Sequence, residues 1–283
     1  MSIAAVHVAV LDLPWPFERE YMQLALAAGL VVGACAPLIG VFLVQQRMAL
    51  LGDGIGHLAF AGVAAGLLLE VWPVWSALLV AAAGALIVQV LRRRGTTTAD
   101  LALALIFYGG IALGIVLISR AGAGSVNVLP YLFGSILTVE PSDVWLVVVL
   151  GAVIVVSILV LGRVLLASVL DEESARVAGL PVDLAGSMLA VLTAVTVVAA
   201  MRVVGVLLVA ALMVLPVASS RLLARSFRST VLIAVVVGVA SVVAGLVAAR
   251  QWSLAPGGSI VLAATACFAV TAAVRGRGQR VGV

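Results

Sequence analysis

The chain has 283 residues, of which 65% are hydrophobic and 10% charged, with a formal net charge of +4. An ordinary soluble domain carries about 25% charged residues, so this one cannot cover a soluble surface. A soluble enzyme, a disordered chain and a nucleic-acid binder are excluded, and the chain reads as an integral membrane protein, all-α and polytopic. The pI near 9.8 marks no nucleic-acid surface, because the arginines flank apolar segments. Residues 1–19 read as a short outer tail. They lack a basic n-region and a small-residue cleavage site, so they do not read as a cleaved signal peptide. Residues 20–275 form the membrane domain, and 276–283 a cytoplasmic tail.

A transmembrane helix needs about 20 apolar residues. Nine runs qualify, at roughly 21–45, 49–69, 74–91, 101–119, 143–162, 185–201, 203–220, 230–249 and 257–274. Only Met201-Arg202 divides the sixth from the seventh, so either can be short or broken, and eight full spans and a partial one are also acceptable. All sixteen basic residues are arginine. With the N-terminus outside, twelve of them fall on inner loops: Arg47, Arg92, Arg93, Arg94, Arg163, Arg176, Arg221, Arg225, Arg228, Arg275, Arg277 and Arg280. Four remain outside, Arg19, Arg120, Arg202 and Arg250. That bias places the C-terminus inside. Trp72, Trp75, Trp145 and Trp252 then lie near outer ends, where interfacial aromatics belong. Four glycine pairs have helix-packing spacing: Gly29/Gly33, Gly52/Gly56, Gly62/Gly66 and Gly110/Gly114.

The second span carries the chemistry. It reads Gly52-Asp53-Gly54-Ile55-Gly56-His57. Four residues apart, Asp53 and His57 share one helical face. Counted from Arg47 at 1.5 Å per residue, Asp53 lies about 9 Å and His57 about 15 Å into the membrane. A charged Asp in hydrocarbon costs at least about 3 kcal/mol, so it faces a partner, a cavity or a pathway. Two readings fit the spacing. In one, Asp53 accepts a hydrogen bond from His57 and locks the helix. In the other, carboxylate and imidazole touch a divalent metal such as Zn²⁺ or Mn²⁺. Asp53 is the one acidic residue well inside a span, and His57 the one histidine in a span; His7 lies in the outer tail. Two ligands are too few for a zinc site, and a homodimer with these helices face to face would supply four.

Three further features stand out. Residues 170–183, Leu-Asp-Glu-Glu-Ser-Ala-Arg-Val-Ala-Gly-Leu-Pro-Val-Asp, have an acidic start, a late arginine and Gly-Pro stop signals. They predict a short helix on the inner surface, either a plain connector or a docking element. The apolar 126–138 stretch is too short to cross and predicts a re-entrant or surface helix. No lysine occurs anywhere, so no Walker A phosphate loop can form, and any ATP must be hydrolysed on another subunit. Cys35 and Cys267 sit in apolar runs and read as core residues.

Five elements, in order, resemble the permease subunits of metal (zinc, manganese, iron) ABC transporters. Residues 47–57 are similar to the R-x-x-L-x-G-D-x-x-x-H signature, 132–137 to L-F-G-x-x-L, and 171–179 to the segment that docks on the ATPase. Residues 203–216 resemble the V-V-G-x-L-L-V-x-A-L-x-x-x-P helix, and 256–261 the P-T-G-x-x-I-V element, here Pro-Gly-Gly. Gly56 stands where the family often has Ser, and Ala61-Gly62 where it often has Pro-Gly. The resemblance implies a permease homodimer in the plasma membrane, driven by a cytoplasmic ATPase dimer and fed by an extracytoplasmic metal-binding protein. It places Asp53 and His57 on metal-coordinating positions, and Asp171, Glu172, Glu173, Arg176 and Gly179 on the ATPase-docking helix. It implies no bound cofactor; Zn²⁺ or Mn²⁺ would be the transported substrate. The Gly-Asp-Gly-Ile-Gly-His form favours zinc, with manganese or iron as the alternative. A vitamin or metal-chelate permease would leave the Asp/His pair without a role. An intramembrane protease would need a second membrane Asp, a Ser partner for His57 or H-E-x-x-H, and no motif supplies one.

Overall fold

The computed structural model describes residues 14–93, 99–121 and 128–280. His7, Arg94, residues 126–127 and residues 281–283 lie outside them. The described chain has eleven helices and no strand. They are α1 (Glu20–Gln45), α2 (Leu51–Leu68), α3 (Pro73–Arg93), α4 (Ala99–Ala121), α5 (Leu129–Phe133), α6 (Pro141–Leu170), α7 (Glu172–Val177), α8 (Val182–Ala200), α9 (Val209–Leu223), α10 (Phe227–Trp252) and α11 (Pro256–Arg280). Eight of them are long and apolar enough to cross a membrane, and α9 is a shorter apolar helix. Of the two readings, eight full spans and a partial one holds: residues 201–208 are not helical, and the helix in the 203–220 run begins only at Val209.

The chain has a physical reason to break there. Gly205 takes φ = 89°, which a residue with a Cβ adopts poorly. The freed backbone then bonds to the five-residue α5 and its flank. Val206 N–H donates to the Tyr131 carbonyl at 2.9 Å, Leu207 N–H to that of Leu132 at 3.3 Å, and Ser135 N–H to that of Arg202 at 3.3 Å. In hydrocarbon every backbone polar group must find a protein partner. These two irregular stretches satisfy each other. The expected helix within 126–138 is present as α5, and it does not cross.

Helices α1, α2 and α8 form the buried centre, and α4, α6 and α11 lie at the periphery. All four glycine pairs are used as close crossings. Gly29 and Gly33 face Val242 of α10, and Gly62 and Gly66 face Ala77 and Ser76 of α3. Gly52 faces Met213 and Ala210 of α9. A Cβ on Gly56 would come within 2.9 Å of the Val206 carbonyl oxygen. One on Gly110 would come within 2.9 Å of the His57 backbone.

The helix ends sort onto two sides. On one side, the start of α1, the end of α10 and residues 134–137 line a common cleft. On the other, the ends of α1, α3 and α6 gather around α7 and the start of α8. Phe42, near the end of α1, stacks on Phe227 at the start of α10, and Arg275 of α11 donates to the carbonyl of Leu222.

A buried ion pair fastens the first side. Arg202 donates to Asp143 at 2.7 Å, with Asp143 only 5% exposed. Arg202 also donates to the Thr138 carbonyl at 3.3 Å and lies 5.3 Å over the Tyr131 ring. Asp143 in turn accepts from the Glu140 N–H at 3.0 Å, closing a capping box where Pro141 starts α6. One guanidinium thus joins α5, the start of α6 and the α8–α9 break. Replacing it would strand a buried carboxylate, at about 3–5 kcal/mol. Arg202→Met should lower the thermal midpoint of the detergent-solubilised protein, and Arg202→Met with Asp143→Leu should recover part of the loss. An unchanged midpoint in the single variant would show that the pair holds nothing together.

Candidate metal path and coupling surface

Asp53 stands in the first turn of α2, where its charge opposes the helix dipole favourably. Its depth differs from the sequence expectation. Arg47 takes φ = 58° and ends α1, with Met48 N–H donating to the Leu43 carbonyl at 2.8 Å, and the helix restarts only at Leu51. Counting from Arg47 as if it were helical overstates the depth. From Leu51, Asp53 lies about 3 Å and His57 about 9 Å along the helix. The surroundings still make the site internal, because the α8–α9 break reaches down to Gly56, next to His57, and α4 meets the His57 backbone at Gly110.

His57 Nε2 and Asp53 Oδ1 are 3.9 Å apart, beyond hydrogen-bonding distance. The His57 side chain is 11% exposed and that of Asp53 33%. The His57 ring packs edge-on against Phe107 of α4, centroids 4.3 Å apart. Gly52 and Gly56 thin the helix around the pair, so α9 and the break approach closely, and Gly110 lets α4 meet the His57 backbone. The two side chains thus share a face, are not bonded to each other and keep part of their surface open. Among the described residues no group of three or more His, Cys, Asp or Glu side chains could hold a metal ion. One chain brings two donors, an oxygen and a nitrogen.

The predicted inner helix is α7. Asp171 caps it, accepting from the Ser174 N–H at 3.0 Å and the Ser174 hydroxyl at 2.5 Å. These bonds, the hydroxyl's first, hold the Asp171 carboxyl below its ordinary range. Gly179, at φ = 76°, turns the chain out of the helix, and Leu180 N–H returns to the Ala175 carbonyl at 3.1 Å. Arg176 bridges Glu172 at 3.1 Å and Asp183 of α8 at 3.4 Å. Arg93, at the end of α3, reaches the same Asp183 at 3.5 Å and donates to Ser187 at 2.6 Å. These side chains border a cleft of about 610 Å³ between α3, α6, α7 and α8. Glu173 sits on the exposed side of α7 beside Val177, which is 86% exposed. Sequence reasoning did not single out Asp183 or Arg93 as partners, nor Phe107 as a neighbour of His57. Only the seven-residue step from Arg176 to Asp183 hinted at the first.

The model of the ABC 3 transport family matches residues 18–275. The chain belongs to that family. The resemblance to metal ABC transporter permeases is thereby upheld, and the chain is a multi-pass membrane subunit of a transporter rather than an enzyme. Among its ABC 3 relatives, the manganese transport system membrane protein MntC of Halalkalibacterium halodurans is 32% identical over 89% of this chain and 86% of that protein. The manganese import system permease protein ScaB of Streptococcus gordonii is 30% identical over 90% and 91%. A solved structure, PsaBC from Streptococcus pneumoniae in complex with Fab, superposes with a TM-score of 0.81 at 31% identity, covering 90% of this chain and 91% of that one.

Proposed function

We propose that this chain is the pathway-forming permease of an ATP-driven importer of divalent transition-metal ions, with Asp53 and His57 touching the passing ion. The observation that carries this reading is an unbonded carboxylate–imidazole pair on a glycine-thinned helix, set against the break in a neighbouring one. An ionisable pair inside a membrane domain needs a function that offsets its desolvation. Two donors are an incomplete coordination set, so a second copy would supply two more. Oxygen and nitrogen donors suit Mn²⁺ and Zn²⁺ alike. The names of MntC and ScaB favour manganese. The Gly-Asp-Gly-Ile-Gly-His form favours zinc. The cytoplasmic side is the α7 side, which carries the arginine excess, so the first helix starts outside and the last ends inside.

The absence of lysine puts ATP hydrolysis on separate subunits. Helix α7, with Asp171, Glu172, Glu173, Arg176 and Gly179, is where they would dock. An extracytoplasmic binding protein would deliver the ion to the side fastened by Arg202. No resident cofactor is needed, because the metal is the cargo.

In proteoliposomes holding the whole transporter, Asp53→Ala and His57→Ala should each abolish accumulation of labelled Mn²⁺ and Zn²⁺ while the protein stays folded. Wild-type uptake in both variants would end the reading, and the metal taken up faster by the unaltered protein identifies the cargo. Replacing Glu172 and Arg176 together by alanine should leave ATP hydrolysis running without import; normal coupling would move the docking site elsewhere. Single cysteines at the two termini should react with impermeant reagents from opposite sides of intact cells, and same-side labelling would overturn the orientation.

A further inference from the structure

The bonding of α4 leaves one residue unexplained. Tyr108 is the tenth residue of this 23-residue helix, and it is 69% exposed. Tyrosine is stable at a membrane interface, where its ring meets apolar groups and its hydroxyl meets water. At the middle of a span, facing lipid, the hydroxyl has no partner, and an unpaired buried hydroxyl costs on the order of a few kcal/mol. Two residues on, Gly110 touches the backbone of His57, so Tyr108 lies at the level of the Asp53/His57 pair. The rings connect. Phe107 packs edge-on against His57, and Tyr108 stacks edge-on against Phe107, centroids 5.4 Å apart. Beside it, an added Cβ on Gly109 would meet nothing within 4 Å, and Ala112, one turn further on, is also exposed. Leu105 and Leu113 on this helix are exposed too, but they are content in lipid; the phenol hydroxyl is not, and another helix with a water-filled path can satisfy it where lipid cannot.

We propose that Tyr108 faces the cation path at the junction with a second copy of this chain, where its hydroxyl hydrogen-bonds the water still held by a passing divalent ion. The proposal rests on the reading of Asp53 and His57 as the pair that touches the ion. A neutral oxygen at this place holds a hydrated cation without adding a third charge. Phe107 sets its position by filling the space between it and His57.

The test uses the whole transporter in vesicles, in a chain with Cys35 and Cys267 replaced by alanine. Tyr108→Cys should react with a positively charged methanethiosulfonate, and Mn²⁺ or Zn²⁺ should slow that reaction. Tyr108→Phe, which keeps the ring and loses the hydroxyl, should raise the KM for metal uptake about fivefold, the loss of one hydrogen bond, with the maximal rate unchanged. A cysteine that reacts only with membrane-soluble maleimide, labelling that metal does not slow, or a Tyr108→Phe transporter with the original KM would each overturn the proposal. Asp53→Asn, measured alongside, separates the two claims. If it still transports, the reading of the pair fails whatever Tyr108 does. If it is inactive and Tyr108→Cys is inert, only the role of Tyr108 falls.

Discussion

Hydrocarbon offers no hydrogen bonds, and most of this structure follows from that. Two stretches of backbone interrupt the long helices inside the domain, the short α5 with its flank and residues 201–208, and they bond to each other. Asp143 and Arg202 enter the same region and pair at 2.7 Å. Serines and threonines on the long helices return their hydroxyls to carbonyls of their own helix, as Thr193 does to Leu189 and Thr196 to Leu192. Against that regularity, Asp53 and His57 are unusual. They stand within reach of each other and do not bond. Internal bonding would have made the pair structural; here the carboxylate and the imidazole are left unbonded to each other.

The approach of neighbouring helices to that pair depends on missing side chains. Without the hydrophobic effect to draw helices together, contact in lipid rests on close packing. Gly52 and Gly56 flank Asp53 on α2, so α9 and the α8–α9 break meet backbone there rather than side chain. The Val206 carbonyl against Gly56 is the clearest case, since it lets the break in the α8–α9 link stand beside His57. Gly84 does the same on α3, where it receives Leu58. The site is therefore assembled by absence on four sides of one helix.

How much of this the sequence disclosed depends on the range of the signal. Span positions followed from apolar run length, which is a local property, and they agree with the helices to within a few residues for most spans. The end of α6 did not: Leu170 lies eight residues past the expected boundary, because Arg163 reads as a stop signal although the helix simply continues beyond it. The Asp53/His57 face was legible from four-residue spacing. Its depth was not, because the left-handed turn at Arg47, a non-glycine residue at φ = 58°, leaves no mark in the sequence. Glycine pairs announced close crossings without saying which helices cross. The partners of Arg202 and Arg93 come from tertiary contact, across 59 residues to Asp143 and 94 to Ser187, and no periodicity reaches that far.

The ion pairs on the α7 side carry the last step. Individually they are weak: Arg176 and Asp183 are 59% and 60% exposed, and such pairs contribute about 0–1 kcal/mol. Their value lies in connectivity. Asp183 receives Arg176 from α7 and Arg93 from α3 on one carboxylate, so a displacement of α7 pulls directly on the end of α3. Helix α3 in turn lies along α2, with Ser76 and Ala77 against Gly66 and Gly62 and with Gly84 against Leu58, the residue after His57. Close-packed contacts of that kind transmit displacement rather than absorb it. A protein seated on α7 would also exclude water from the cleft, which lowers the local dielectric and strengthens the same pairs. A partner seated there would therefore stiffen this linkage, and α3 would pass a displacement to α2 at Leu58, Gly62 and Gly66.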